Sequence, residues 1–346
     1  MLLHRLLAGD GAARPGSGAA HAAGGGGAVP GHRLRHLRGG DSAVVAFRPA
    51  VAAAGRGVTA GLGRRLADQA AFRGARLVMG GLALLPDSVA GRLAESLGAA
   101  IVAGLPVTRR RIERNLARVM PHLSAAERRR LARAVGGHFG RVILEYATLP
   151  RLVARRDAWT LGGPGLDALR RARAEGRGAV LVSAHFGNWE VIRAALAAAG
   201  IPCGMIYRAF NNRPFDLHVR DLMRAAGAPV LTKGHRGTRA LVAHVARGGA
   251  GLILVDQKQT GAPRLPFMGH PAETALAAAE LATRLGVPLL PAFATRLEDP
   301  DRFAVEIEAP VPDGPAPARM EEVNRRIAAR IAARPGQWFW LHNRWR

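Results

Sequence analysis

The sequence predicts an α/β layer fold, with a mixed, largely parallel central sheet flanked by helices and a helical, membrane-associating segment ahead of it. Three observations carry this expectation. Through the second half of the chain short apolar runs alternate with helical stretches, the pattern of βα units. The polar residues with chemical interest follow those runs, at the carboxyl ends of the expected strands, where open α/β sheets place their sites. Ahead of the alternation lie two uncharged apolar runs bordered by arginines.

Residues 1–66 differ from the rest. They are rich in glycine, alanine and arginine, include Gly24 to Gly27, and carry only Asp10 and Asp41 as acids. No apolar period persists long enough for a core element, so a low-complexity extension is expected, disordered or only locally ordered. An arginine-rich, acid-poor leader also has the character of a transit peptide; a start codon assigned too far upstream is the other reading. His4 and Arg5 interrupt the opening leucines, which makes them a poor signal-peptide core.

Residues 67–150 form the expected membrane-associating segment. Leu77 to Pro86 is an uncharged run of ten and Leu97 to Val107 one of eleven. Neither approaches the roughly 20 residues needed to cross a bilayer, and Pro86 breaks any single long helix. Arg109, Arg110, Arg111 and Arg114 follow at once. A pair of helices lying on or dipping into a membrane interface accounts for both features. The competing reading is a helical hairpin packed on the core. Arg109 to Met120 continues as a helix, and Ser124-Ala125-Ala126-Glu127 reads as a capping box opening another to about Leu149.

Residues 151–346 form the expected α/β core. Strands are predicted at Ala179–Ser183, Cys203–Tyr207, Pro229–Leu231, Gly251–Val255, Leu289–Ala294 and Phe303–Glu308. Helices are predicted at Trp189–Ala199, Pro214–Ala226, Gly237–Arg247, Thr274–Leu285 and about Arg319–Arg334. Three of the five tryptophans fall in the closing Gln337 to Arg346, interleaved with His342, Arg344 and Arg346. Such a tail suits a lipid headgroup interface or a segment folded back to close the core, and both readings stand.

The stretch Ser183-Ala184-His185-Phe186-Gly187-Asn188-Trp189-Glu190 places a histidine and a carboxylate five positions apart at a strand-to-helix junction. On one continuous helix, at about 100° per residue, they would lie about 140° apart. A turn at Gly187-Asn188 lets them meet, with Glu190 in the first helical turn where the dipole favours an anion. A carboxylate that orients an imidazole makes it a better general base. The bland alternative is a strand-end histidine beside a capping acid. Tyr207-Arg208 and Asp256-Gln257-Lys258-Gln259 follow other predicted strands and Arg220 lies in the helix between, where a basic residue near the pair can hold a phosphate or a developing oxyanion and Asp256 can anchor an arginine. Ser183 lies two residues before His185 on the same strand face, so a Ser–His nucleophile pair is conceivable. No Gly-x-Ser-x-Gly elbow exists and no His-Glu-x-x-His, and a lone His/Glu pair supplies too few ligands for a zinc site. The one cysteine, Cys203, excludes an intrachain disulfide.

The formal net charge is +25, almost all of it from arginine, since Lys233 and Lys258 are the only lysines. A surplus of this size points to acidic partners: phosphate-bearing lipid, nucleic acid or an acidic carrier protein. Nucleic acid is the weakest of these, because no helix-turn-helix, zinc-finger or RNP signature appears.

His185 to Glu190 is similar to the His-x4-Asp/Glu motif of the lysophospholipid acyltransferase superfamily, in the form found in bacterial lipid A late acyltransferases. In the same order come Arg114-Asn115-Leu116, Tyr207-Arg208 with Asn211-Asn212, Arg220 to Gly227, Asp256-Gln257, Leu265 to Gly269 with Glu273–Gly286 and Pro288–Pro291, and the Gln337 to Trp345 tail. The resemblance covers roughly residues 72–346. It implies a glycerol-phosphate acyltransferase-like fold and transfer of a fatty acyl group from acyl carrier protein, or coenzyme A, to a hydroxyl of a phosphorylated glycolipid, a lipid A precursor. It also implies a place at the cytoplasmic face of the inner membrane, with no metal and no cofactor. His185 would be the general base and Glu190 its orienting carboxylate, with Arg220, Asp256, Arg208 and Asn188 as the substrate-binding set. The alternatives are acyl transfer to another glycolipid, such as a phosphatidylinositol mannoside, or to a lysophospholipid, and a non-enzymatic basic lipid-binding protein.

Overall fold

The computed structural model describes residues 59–345. The leader expected over residues 1–66 therefore lies outside the described residues except for 59–66, which begin helix α1 (Thr59–Ala83). By its internal contacts the chain divides into residues 1–68 and 69–346, and every element after α1 belongs to the second unit.

Pro86 ends the first apolar run and α2 (Asp87–Gly104) starts behind it. Leu105 breaks the path, Pro106 opens α3 (Pro106–Val119), and the two helices meet at 89°. Helix α4 (Ala125–Ala147) opens with the expected capping box, in which Ser124 Oγ accepts from the Glu127 N–H and Glu127 accepts from the Ser124 N–H. Small residues let α2 and α4 approach closely. A Cβ on Gly98 would lie 2.2 Å from the Gly136 carbonyl oxygen, and one on Gly140 would lie 2.1 Å from that of Ala94. Three large apolar side chains of α2 take the other side: Val89, Leu93 and Leu97, one turn apart, are 40%, 47% and 47% exposed, whereas Val102 near the helix end is buried. From Val89 to Gly98, small residues inward and large apolar residues outward reverse the usual pattern of a water-facing helix.

The short helix α5 (Leu149–Ala154) leads to β1 (Trp159–Gly162), and α6 (Pro164–Ala174) leads to β2 (Ala179–Ser183). Then follow α7 (Trp189–Ala198), β3 (Cys203–Tyr207), α8 (Arg213–Ala226), β4 (Val230–Thr232), α9 (His235–Ala246) and β5 (Ala250–Leu254). A hairpin of β6 (Arg264–Phe267) and β7 (His270–Glu273) precedes α10 (Ala277–Leu285), β8 (Leu289–Arg296), β9 (Phe303–Ile307) and α11 (Ala316–Ala333). Seven strands form one sheet in the order β1-β9-β8-β2-β5-β3-β4. Only the β8–β9 pairing is antiparallel, so the sheet is mixed and largely parallel, as expected. Strand β2 sits between β8 and β5 with every residue buried, which explains why Ala179–Ser183 reads as a continuous small-and-apolar run.

Three strands escaped the sequence reading: the short edge strand β1 and both strands of the β6–β7 hairpin. Pro266 and Pro271 argue against strand in any local window, yet they face each other in the β6–β7 hairpin, where each strand has only one partner. Its two-residue turn is Met268-Gly269, both at positive φ (50° and 78°), the requirement of a hairpin turn that matches strand twist. Because β7 takes residues up to Glu273, the helix expected from Thr274 begins at Ala277.

The closing segment folds back onto the protein. Trp338 and Trp340 are fully buried. Trp338 pairs with Phe186 as an isolated antiparallel bridge, and its ring packs against Phe267, Trp340 and Trp345. Arg344, also fully buried, donates to the Glu273 carbonyl and to Thr274 Oγ1 and lies over the Phe267 ring. Of the two readings of the tail, core closure is the one the structure shows for these residues.

Candidate active site

Strand register builds the site. β2 and β5 are parallel neighbours that pair Ser183 with Leu254; carried two residues on, that register sets His185 opposite Asp256. The carboxylate meets the histidine twice. Asp256 Oδ1 accepts from His185 Nδ1 at 2.8 Å, and Oδ2 accepts from the His185 backbone N–H at 2.9 Å. Trp338 Nε1 donates to Oδ2 at 2.8 Å. Burial of Asp256 by itself raises its pKa. The charge and hydrogen bonds of His185, with that of Trp338, outweigh burial and hold the carboxyl at about 2. An ionised Asp256 fixes the imidazole proton on Nδ1 and leaves the Nε2 lone pair free. Nε2 faces the outside: the His185 side chain is 21% exposed, and its Nε2 neighbour is the exposed Gln257 amide at 3.5 Å.

The loop that carries His185 is held from several sides. Gly187 has φ 57°, and a Cβ there would lie 1.8 Å from the Ala294 carbonyl oxygen, so only glycine fits. Its N–H donates to the Gln337 carbonyl, its own carbonyl accepts from His138 Nε2 at 3.1 Å, and the Phe339 N–H donates to the His185 carbonyl. Burial first, then the charges of Arg296 and Arg141, push His138 down to about 3, so it stays neutral. The Trp189 ring sits 5.0 Å from the imidazole, edge to face.

Glu190 does lie in the first turn of α7, but it is not the carboxylate on His185. It is fully buried, accepts from Tyr146 Oη at 2.9 Å, and pairs with Arg193, its i+3 neighbour. Arg193 is buried as well and spends its other donors on the carbonyls of Met223 and Gly227, at the end of α8, and of Cys203. A buried guanidinium needs a carboxylate partner, and at helical spacing Glu190 is the one on the same face. The Gly187-Asn188 turn thus delivers Glu190 inward to Arg193 rather than across to the imidazole. The chain from Glu190 to the histidine runs through Tyr146, which accepts from Trp189 Nε1 at 2.7 Å.

Asn188 also departs from the expected role. Its Oδ1 caps α7 by accepting from the Glu190 N–H, and its Nδ2 donates to Glu145 Oε2 at 2.8 Å. Glu145 in turn receives both terminal nitrogens of Arg296. With the side chain fully buried and both ends engaged, Asn188 supports the loop and offers nothing to a substrate. Asp256 does not anchor Arg220, since its partners are His185 and Trp338. Arg220 lies on α8 near Tyr207, whose phenol burial, then the charge of Asp216, push up to about 12 against the pull of Arg220. Arg220 Nε is buried without a hydrogen-bond partner. Arg208 is exposed on the loop after β3.

The covalent alternatives lose their footing. Ser183 is fully buried and its Oγ has no hydrogen-bond partner. Cys203 is buried, and burial pushes its thiol up to about 12. Neither is an accessible, activated nucleophile. What the arrangement can do is take a proton from a group presented to His185 Nε2 and hold the resulting imidazolium against Asp256.

Residues 37–346 match the profile of the bacterial lipid A biosynthesis acyltransferase family, so the match begins 35 residues ahead of the segment that carried the sequence resemblance. Among curated proteins the chain is similar to a phosphatidylinositol mannoside acyltransferase of Mycobacterium tuberculosis, 29% identical over 250 residues, 68% of this chain and 76% of that protein. The corresponding protein of Mycolicibacterium smegmatis is 27% identical over 245 residues, 68% and 78% of the two chains. The lipid A biosynthesis palmitoleoyltransferase of Escherichia coli is 26% identical over 191 residues, 53% and 60%.

Proposed function

Because this chain belongs to the bacterial lipid A biosynthesis acyltransferase family, and is therefore an acyltransferase, we propose that it moves a fatty acyl group from a thioester of acyl carrier protein, or of coenzyme A, to a hydroxyl of a phosphorylated glycolipid. The observation that carries this reading is the His185–Asp256 pair at the carboxyl ends of β2 and β5, with Nε2 open to a bound hydroxyl. The hydroxyl proton passes to His185 Nε2 as its oxygen attacks the thioester carbonyl. A C–O bond forms, the C–S bond breaks, and the imidazolium returns the proton to the departing sulfur. Asp256, ionised throughout, stabilises the imidazolium without taking the proton. A formal net charge of +25 favours encounter with an anionic lipid and an acidic carrier protein.

The acceptor is a lipid A precursor, in keeping with the family that the chain belongs to and with the similarity to the Escherichia coli protein. A second reading, a phosphatidylinositol mannoside, has its own support: the mycobacterial proteins match a larger share of this chain at slightly higher identity. Purified protein given palmitoyl thioesters and each acceptor in mixed micelles decides between them, with products read by mass spectrometry. Acylation of the disaccharide phosphate supports the first reading, and of the mannoside alone the second. Acylation of neither, with both donors, overturns the assignment to glycolipids.

The same proposal puts the protein at the cytoplasmic face of the inner membrane. Among the described residues no single helix is long and apolar enough to cross a membrane; α2 with α3 passes by length and composition as a bent pair. The outward Val89, Leu93, Leu97 and Val107, beside the exposed Arg92 and Arg110, supply an apolar surface edged with positive charge, the composition that suits an anionic interface.

A further inference from the structure

The loop after β5 singles out one side chain. Asp256 is fixed by His185 and Trp338. The Lys258 N–H donates to His342 Nε2 at 2.8 Å, and Lys258 Nζ pairs with Glu273 at 3.3 Å. The Gln259 side chain accepts from Lys233 Nζ at 3.2 Å. Between these tethers Gln257 is exposed, with its amide nitrogen 3.5 Å from His185 Nε2. The chemistry of the pair fixes which end of the amide faces the ring. Nδ1–H is committed to Asp256, so Nε2 presents a lone pair that would repel a carbonyl and attracts N–H.

We infer that Gln257 is a catalytic residue of the acyl transfer proposed above: its side-chain amide donates to the thioester carbonyl oxygen as that oxygen gains negative charge, and His342 is the positioning residue that holds it there through the Lys258 N–H. The inference rests on the reading of His185 as general base. A hydroxyl bound at Nε2 takes the place that the amide N–H now faces. The attacking oxygen and the carbonyl oxygen share one carbon in the tetrahedral intermediate, so a donor beside Nε2 is within reach of the oxyanion. When the intermediate collapses, the C–S bond breaks, its electron pair leaves on sulfur, and the oxyanion reverts to the ester carbonyl. Gln257 exchanges no proton. His342 accepts through Nε2 and so must be neutral. Burial, aided by the charges of His185, Arg344 and Arg111 and opposed by that of Asp256, pushes it down to about 4.

Steady-state transfer from palmitoyl-coenzyme A and palmitoyl-acyl carrier protein tests this, with His185→Ala as reference. Gln257→Ala and the isosteric Gln257→Glu are expected to lower kcat about 10²–10³-fold, with KM and melting temperature unchanged. His342→Gln keeps an acceptor for the Lys258 N–H and should retain most activity. His342→Ala should lose kcat in the wild-type background and lose nothing further beside Gln257→Ala. Wild-type kcat in both Gln257 variants, with His185→Ala inactive, overturns the role of Gln257 and leaves the general base standing. A His342→Ala loss of equal size in both backgrounds overturns its action through Gln257. A fully active His185→Ala protein removes the underlying reading instead.

Discussion

Replacing Asp256 with asparagine perturbs the site by one atom, and the structure says which way it gives. Three N–H groups converge on the carboxylate: His185 Nδ1 on Oδ1, and the His185 backbone and Trp338 Nε1 on Oδ2. An amide has one oxygen for them. With that oxygen in the Oδ2 position two bonds survive and the NH2 faces Nδ1; in the Oδ1 position one survives and two donors meet the NH2. The first arrangement is favoured by one buried hydrogen bond, on the order of 1–3 kcal/mol. It forces the imidazole proton onto Nε2, where a base must have its lone pair. The expected loss is about 10⁴-fold in kcat, the size seen when a buried carboxylate behind a catalytic histidine becomes an amide. The expected stability cost is only about 1–3 kcal/mol. Initial-rate acyl transfer, with folding followed by circular dichroism, measures both. Glu190→Gln is the informative companion, because it strands the buried Arg193 guanidinium and should cost stability, about 3–5 kcal/mol, more than turnover per folded molecule. Near-normal kcat in Asp256→Asn together with an inert, well-folded Glu190→Gln would remove Asp256 from its role and restore Glu190 as the orienting carboxylate.

Acid should destabilise the protein well above the carboxylate range. His138 and His342 are held neutral, at about 3 and about 4 against the ordinary 6.5. The unfolded chain therefore binds more protons in that window, and the stability present above pH 6.5 is lost as pH falls toward those values. Asp256, depressed from 3.8 to about 2, adds a second loss only at lower pH. Melting temperature should fall between about pH 7 and about pH 5, and the fall should be shallower in His138→Gln and His342→Gln; a flat profile in wild type contradicts it. Gly187→Ala should abolish activity and destabilise strongly, because its Cβ meets the Ala294 carbonyl, whereas Gly200→Ala, at φ 73° with open space around it, should cost only about 1–2 kcal/mol; equal melting temperatures for the two would be a contradiction. Leu93→Glu with Leu97→Glu should weaken sedimentation with anionic vesicles while leaving the fold intact, since both side chains point outward; unchanged binding removes that face from the membrane reading.

Much of the fold was legible because β2 and β3 are marked by continuous apolar runs, and Ala179–Ser183 and Cys203–Tyr207 coincide with the strands found. The β6–β7 hairpin was not legible, since its prolines speak against strand until a one-sided partner is known. Of the site, His185 stood out by its place after β2, but its partner did not. Sequence proximity favoured Glu190, five residues away, over Asp256, which strand register brings opposite. Asp256 was visible at a strand end, and the adjacency of β2 and β5 was the missing datum. The pull on Glu190 was also hidden, because Arg193 reads as an ordinary helix arginine until the carbonyls of Cys203, Met223 and Gly227 are seen around it. The roles of Trp338 and His342 depended on the tail folding back, one of two readings that composition left open.

Everything proposed for the chemistry depends on His185, backed by Asp256, removing the proton of an acceptor hydroxyl. The plainest check compares the initial rate of acyl transfer from a thioester to a glycolipid by wild-type protein and by folded His185→Ala protein. A general base at this position predicts a rate about 10²–10⁴-fold lower in the variant. Equal rates in the two proteins would contradict it.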